Sequence, residues 1–184
     1  MKRLRDLLLP PEPSFPPSDS PADLAADLLE TEKMAEELVD YLLGNRLFRQ
    51  IVVETPMGVR RPKMTLGGLW ERIQHLEAAE ALGPADRKRL EAVKETWSEA
   101  MRRYPDQARA KLRSELKSYL HNWQYFLRQA RNNPERWREE YDVEIRNKRR
   151  IQTVVHLLGK HAPEGLLEDL EKLEAEVEHR AARS

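Results

Sequence analysis

Between residues 105 and 131 apolar side chains recur at Leu112, Leu116, Tyr119, Leu120, Trp123, Phe126, Leu127 and Ala130, the spacing that lays one stripe along a helix. At 1.5 Å per residue such a helix runs roughly 40 Å. The same rhythm appears in Leu24, Leu28, Ala35, Leu38 and Leu42, in Leu66, Leu69, Trp70, Ile73 and Leu76, and in Leu90, Val93, Trp97 and Met101. It returns in Trp137, Tyr141, Ile145, Ile151, Val155 and Leu158, and at 4-3-4 spacing in Leu166, Leu170, Leu173 and Val177. All four tryptophans stand on these stripes, which assigns them to core packing.

Residues 47–64 read differently. Leu47 to Thr55 carries the β-branched run Ile51, Val52, Val53; Pro56-Met57-Gly58 supplies a turn, and Val59 to Met64 returns, which predicts a β-hairpin. Prolines 84, 105, 134 and 163 punctuate the helices, because proline fits a first helical turn and breaks an interior. Ser20, Thr65 and Asn133 stand where side-chain caps are needed. The expected class is all-α: an antiparallel bundle of about six helices with one small hairpin, the first helix running from Pro21 to near Gly44 and the last beginning near Pro163.

Prolines 10, 11, 13, 16, 17 and 21 crowd one short window, which favours extended polyproline conformation. Residues 1–19 are therefore expected to form a Pro-rich tail and residues 20–184 a single helical domain. Leu7, Leu8, Leu9 and Phe15 are the tail's candidates for docking on a partner.

Composition narrows the chemistry. The chain has 184 residues, no cysteine, and 32 Lys+Arg against 32 Asp+Glu. Without cysteine there is no disulfide, thiolate metal site or cysteine nucleophile. The longest apolar runs fall far short of the ~20 residues that span a bilayer. Prolines truncate the apolar stretch after Met1-Lys2-Arg3, so a signal peptide is not expected and the chain reads as cytoplasmic. The zero net charge excludes a uniformly basic protein and hides a distribution: residues 1–50 sum to −4, 51–100 to 0, 101–150 to +7 and 151–184 to −3. The acidic first and last helices could therefore lie against the basic middle.

No G-x-G-x-x-G, P-loop or G-x-S-x-G occurs. Gly67-Gly68 after Thr65 could open a helix N-terminus to an anion. Glu176-x-x-His179 has the spacing used in di-metal bundles but has no second copy, so neither a metal nor a cofactor is expected. Arg149 and Arg150, followed by His156, resemble the Arg/His motif of HEPN-type helical ribonucleases. That resemblance implies a His acting as acid or base and an Arg holding phosphate, with Arg149 and His156 on one helix face two turns apart. Arg60, Arg61 and Lys63 on the hairpin, with Arg138, Arg146, Arg149 and Arg150 on the 134–158 helix, form the candidate surface for nucleic acid or an acidic partner. Asp142 stands four residues from both Arg138 and Arg146, where it could pair with each.

The preferred expectation is a non-catalytic helical protein that works through protein–protein contact, self or other, with a homo-oligomer expected. A nucleic-acid-associated protein using the 101–150 segment and the hairpin is the alternative, and a HEPN-like ribonuclease the third.

Overall fold

The computed structural model describes residues 20–183. The Pro-rich tail, with Leu7, Leu8, Leu9 and Phe15, lies outside the described residues. The described chain is all-α, with a short antiparallel hairpin. Seven α-helices run in order: α1 (Pro21–Glu36), α2 (Leu38–Leu43), α3 (Leu66–Ala78), α4 (Pro84–Arg103), α5 (Pro105–Asn132), α6 (Pro134–Leu158) and α7 (Leu166–Ala181). The hairpin between α2 and α3 comprises β1 (Arg49–Gln50), β2 (Val53–Thr55), β3 (Gly58–Arg60) and β4 (Lys63–Met64). No described helix is long and apolar enough to cross a membrane.

The caps are those the sequence offers. Ser20 Oγ accepts from the Asp23 amide at 3.2 Å, Thr65 Oγ1 from Gly68 at 2.9 Å, and Asn133 Oδ1 from Glu135 at 3.2 Å. Two boundaries differ from expectation. The first helix slackens at Glu37, although the Tyr41 amide still donates to the Glu37 carbonyl at 2.9 Å, so α2 continues nearly the same path. The last helix starts at Leu166 because Gly165 takes φ 72°, a left-handed turn that no helix can run through.

Contacts group into two compact units that divide within α5, one ending at Glu115 and the other starting at Leu116. In the first, α1 packs against α3 and α4. Leu24, Leu28, Leu76, Ala79, Leu82 and Leu90 form a buried cluster there. Each fully buried leucine contributes about 1.5–3 kcal/mol relative to exposure. In the second, α6 packs on α7. The two helices run antiparallel, because Tyr141 and Lys148 both reach Glu174 while the earlier Arg138 reaches the later Ala181 carbonyl. Trp123, Phe126, Trp137 and Tyr141 make successive ring contacts, with centroid separations of 5.3, 5.8 and 4.4 Å, the middle pair stacked and the outer two tilted. Trp70 meets Trp97 at 5.6 Å in the first unit.

A hairpin held at both feet

The strand pairs place Arg49 opposite Met64, Gln50 opposite Lys63, Val53 opposite Arg60 and Glu54 opposite Val59. The Ile51 amide donates to the Pro62 carbonyl at 3.0 Å, so the two short pairs form one interrupted ribbon. Side chains alternate across it. Ile51, Val53 and Met64 are buried, facing inward with Arg60. Phe48, Gln50, Val52, Glu54, Val59, Arg61 and Lys63 are exposed on the opposite face. Phe48 is 39% exposed, Val52 51% and Val59 58%, with Met57 at the tip 54%. Large apolar groups this open on a two-stranded ribbon are not contributing to the core.

The same period separates cations adjacent in sequence. Arg60, inward, meets the acidic face of α1: its guanidinium lies 3.0 Å from Asp27 Oδ1, 3.0 Å from Glu30 Oε1 and 3.4 Å from Asp23 Oδ1. Arg72 on α3 adds a contact of 2.7 Å to Glu30 Oε2 and one of 3.5 Å to Asp27, while His75 Nε2 stands 4.0 Å from Asp27. Glu30 is almost fully buried, so this cluster pins the hairpin and α3 to α1. Arg89 on α4 takes Glu32 in the same manner at 2.5 Å. The acids of α1 are thus met by arginines from residues 51–100, whereas Glu174 and Glu176 of α7 meet Lys148 and Arg131 of the basic 101–150 segment.

Beneath the hairpin lies a second cluster, built on one turn of α5. Glu115 is fully buried. Its carboxylate accepts from the backbone amides of Leu66 at 2.7 Å and Gly67 at 3.1 Å, at the start of α3, and stands 2.9 Å from the Tyr41 hydroxyl of α2. The anion that the glycine-rich start of α3 could receive is therefore the chain's own. One turn earlier, Lys111 Nζ donates to the carbonyls of Gly44 and Arg46, both at 2.7 Å, and lies 4.5 Å from the Tyr41 ring centroid. The Tyr41 hydroxyl also lies 2.7 Å from the Leu47 carbonyl. Residues 44–47 lead into the hairpin and residues 65–67 lead out, so Lys111 and Glu115 hold both of its feet. An open cleft of about 300 Å³ lies beside the first foot, bordered by Leu43, Asn45, Leu47, Gln107 and Lys111.

Burial pushes the Glu115 carboxyl up from 4.5 to about 7, against the opposing pull of the two amides, Tyr41 and Lys111. Burial likewise lowers Lys111, which the Glu115 charge partly offsets. A carboxyl whose folded pKa exceeds its unfolded value stabilises most fully below the unfolded value. That contribution falls as pH rises from about 4.5 to about 7 and stays lost above. The span corresponds to a contribution on the order of 3 kcal/mol. Glu115→Gln cannot titrate, so the difference in unfolding free energy between wild type and variant is expected to swing towards the variant between pH 5 and pH 8. Chemical denaturation at both pH values checks this, and parallel curves would contradict it.

The other candidate residues are dispersed. Arg138 donates to the Ala181 carbonyl at 2.8 Å rather than to Asp142, satisfying an orphan acceptor at the end of α7. Arg150 lies over the Tyr119 ring at 5.6 Å, and Arg149 is half-buried, close enough to Tyr141 for its charge to act there. Arg146 and His156 are exposed on α6. Sequence reading passed over Tyr41, Lys111 and Glu115. Their signal was a Lys and a Glu four residues apart on the apolar stripe of α5, between Ala108 and Tyr119, where a solvated pair would not stand.

Fold and site together define an all-α protein that displays a short hairpin from a footing of buried polar contacts. Compared with known proteins, the chain matches no family model, no curated protein and no solved structure.

Proposed function

We propose that the chain is a non-catalytic helical interaction protein whose contact element is the outward face of the hairpin, and whose partner is a protein surface that mixes apolar and acidic side chains. The observation that carries this is the alternation of the ribbon. Its inward face is tied into the core, while Phe48, Val52 and Val59 remain open beside Arg61 and Lys63. Two cations against the single acid Glu54 favour an acidic counterpart, and the exposed apolar groups favour one that also buries hydrocarbon. Among the described residues β2 and β3 pair only with each other, so the ribbon also offers unpaired strand edges to an extended segment. The buried acids Glu30, Glu115 and Glu174 are engaged in holding elements together, which supports a structural role for the polar interior.

The competing partner is nucleic acid, and charge reversal distinguishes the two. In low-salt titrations with short RNA and DNA, the wild type is expected to show no saturable binding that Arg61→Glu/Lys63→Glu abolishes. Saturable, salt-sensitive binding lost in that variant would replace the protein partner with a polynucleotide.

A further inference from the structure

The Tyr41 hydroxyl carries one hydrogen and has two acceptors in reach, the Leu47 carbonyl at 2.7 Å and Glu115 Oε1 at 2.9 Å. It cannot serve both at once. When Glu115 is neutral its own hydroxyl can donate to Tyr41, leaving the phenolic hydrogen on Leu47. When Glu115 is ionised it has no hydrogen to give, and as a charged acceptor it outcompetes a neutral carbonyl for the phenol. We propose that Tyr41 and Glu115 form a protonation switch in the hairpin's footing: proton uptake by Glu115 hands the Tyr41 hydrogen to Leu47 and firms the first foot, and proton loss withdraws it and loosens the hairpin.

The geometry that supports this is local. The groups facing the Glu115 carboxyl are Tyr41 from α2, Lys111 from its own helix, and the amides of Leu66 and Gly67 from α3. Lys111 is anchored on the Gly44 and Arg46 carbonyls, and the two amides keep their donors in either state. The phenolic hydrogen is therefore the group free to change acceptor. Burial places the titration of Glu115 at about 7, within the range a cell traverses. The consequence for function rests on the hairpin being the contact element: a loosened foot presents the outward face less firmly, so partner binding weakens as pH rises. The switch itself needs no partner.

Amide hydrogen exchange on the full chain tests it, with protection factors corrected for intrinsic rates at pH 6 and pH 8. The Ile51 amide, bonded across the ribbon to Pro62, is the reporter. Its protection relative to that of the buried Leu28 amide in α1, which registers the general loss of stability as Glu115 ionises, is expected to fall about fivefold from pH 6 to pH 8 in the wild type, the weight of one hydrogen bond. It should change little in Glu115→Gln and in Tyr41→Phe, which keeps the carboxylate and removes the hydrogen. A wild type with equal relative protection at both pH values overturns the switch, as does a fall that persists in Tyr41→Phe. Side-chain carbon shifts of Glu115 should titrate with a midpoint near 7 in the wild type, and a midpoint in the ordinary carboxylate range overturns it even if the variants fail to fold. Failure of these measurements leaves the contact surface standing, because that is read by binding and by substitutions on the outward face.

Discussion

Glu115→Ala is expected to lower the unfolding free energy by about 4 kcal/mol, one of the largest losses from any single substitution in this chain. The variant removes the acceptor shared by the Leu66 and Gly67 amides in a site with no solvent exposure. A buried donor left without a partner costs roughly 1–3 kcal/mol, and here there are two such donors together with a vacated volume. Tyr41 keeps Leu47, so it adds little. Glu115→Gln retains an acceptor and the volume, and should lose less than about 1.5 kcal/mol at pH 8, where the native carboxyl bears its desolvation penalty. Urea denaturation followed by far-ultraviolet circular dichroism compares the three proteins. Equal losses in the two variants would mean that the carboxyl does not hold the start of α3.

The second large effect is expected at Arg72. With Arg60 it neutralises Glu30, and Glu30 is almost wholly out of solvent. Arg72→Met should cost about 3 kcal/mol, because breaking one side of a buried ion pair leaves its charge undercompensated, and Glu30 then keeps Arg60 as its remaining arginine. Replacing both partners is a different experiment. Glu30→Leu/Arg72→Met removes charge and countercharge together and is expected to recover at least half of the loss. Strict additivity of the two single substitutions would show that the cluster is not coupled.

Much of the architecture could be read along the chain, for reasons visible in individual residues. Proline at 84, 105 and 134 opens a helix each time, and Ser20, Thr65 and Asn133 cap as their chemistry demands. The hairpin followed from β-branched residues on either side of Pro56-Met57-Gly58. Periodicity could not show that Glu37 interrupts the first helix, since the apolar stripe passes through it unbroken. Nor could it announce the left-handed Gly165, because glycine also stands in ordinary conformations.

The site was less legible. Arg60, Arg61 and Lys63 look alike as a run of cations, and only the pleat tells them apart, sending Arg60 to α1 and leaving the other two outward. That division depends on register, which a single sequence leaves open by one residue. The footing was harder still. Tyr41 is far in the chain from Lys111 and Glu115, and ordinary helix logic reads Lys111 and Glu115 as a solvated pair at four-residue spacing. What distinguishes them is the company of Leu112 and Leu116 on the same face, a signal that acquires meaning once that face is known to be buried.

The outward face of the hairpin is proposed as the place where another protein binds. A photo-crosslinking side chain at position 59, introduced into the full chain in its own cells, tests this most directly, with position 95 on the exposed face of α4 as the control. Position 59 is expected to yield one or a few discrete protein adducts, absent at position 95 and lost when Arg61→Glu/Lys63→Glu is added. Adducts equal at the two positions, insensitive to the charge reversal, or formed with nucleic acid would mean that the outward face is not a protein-binding surface.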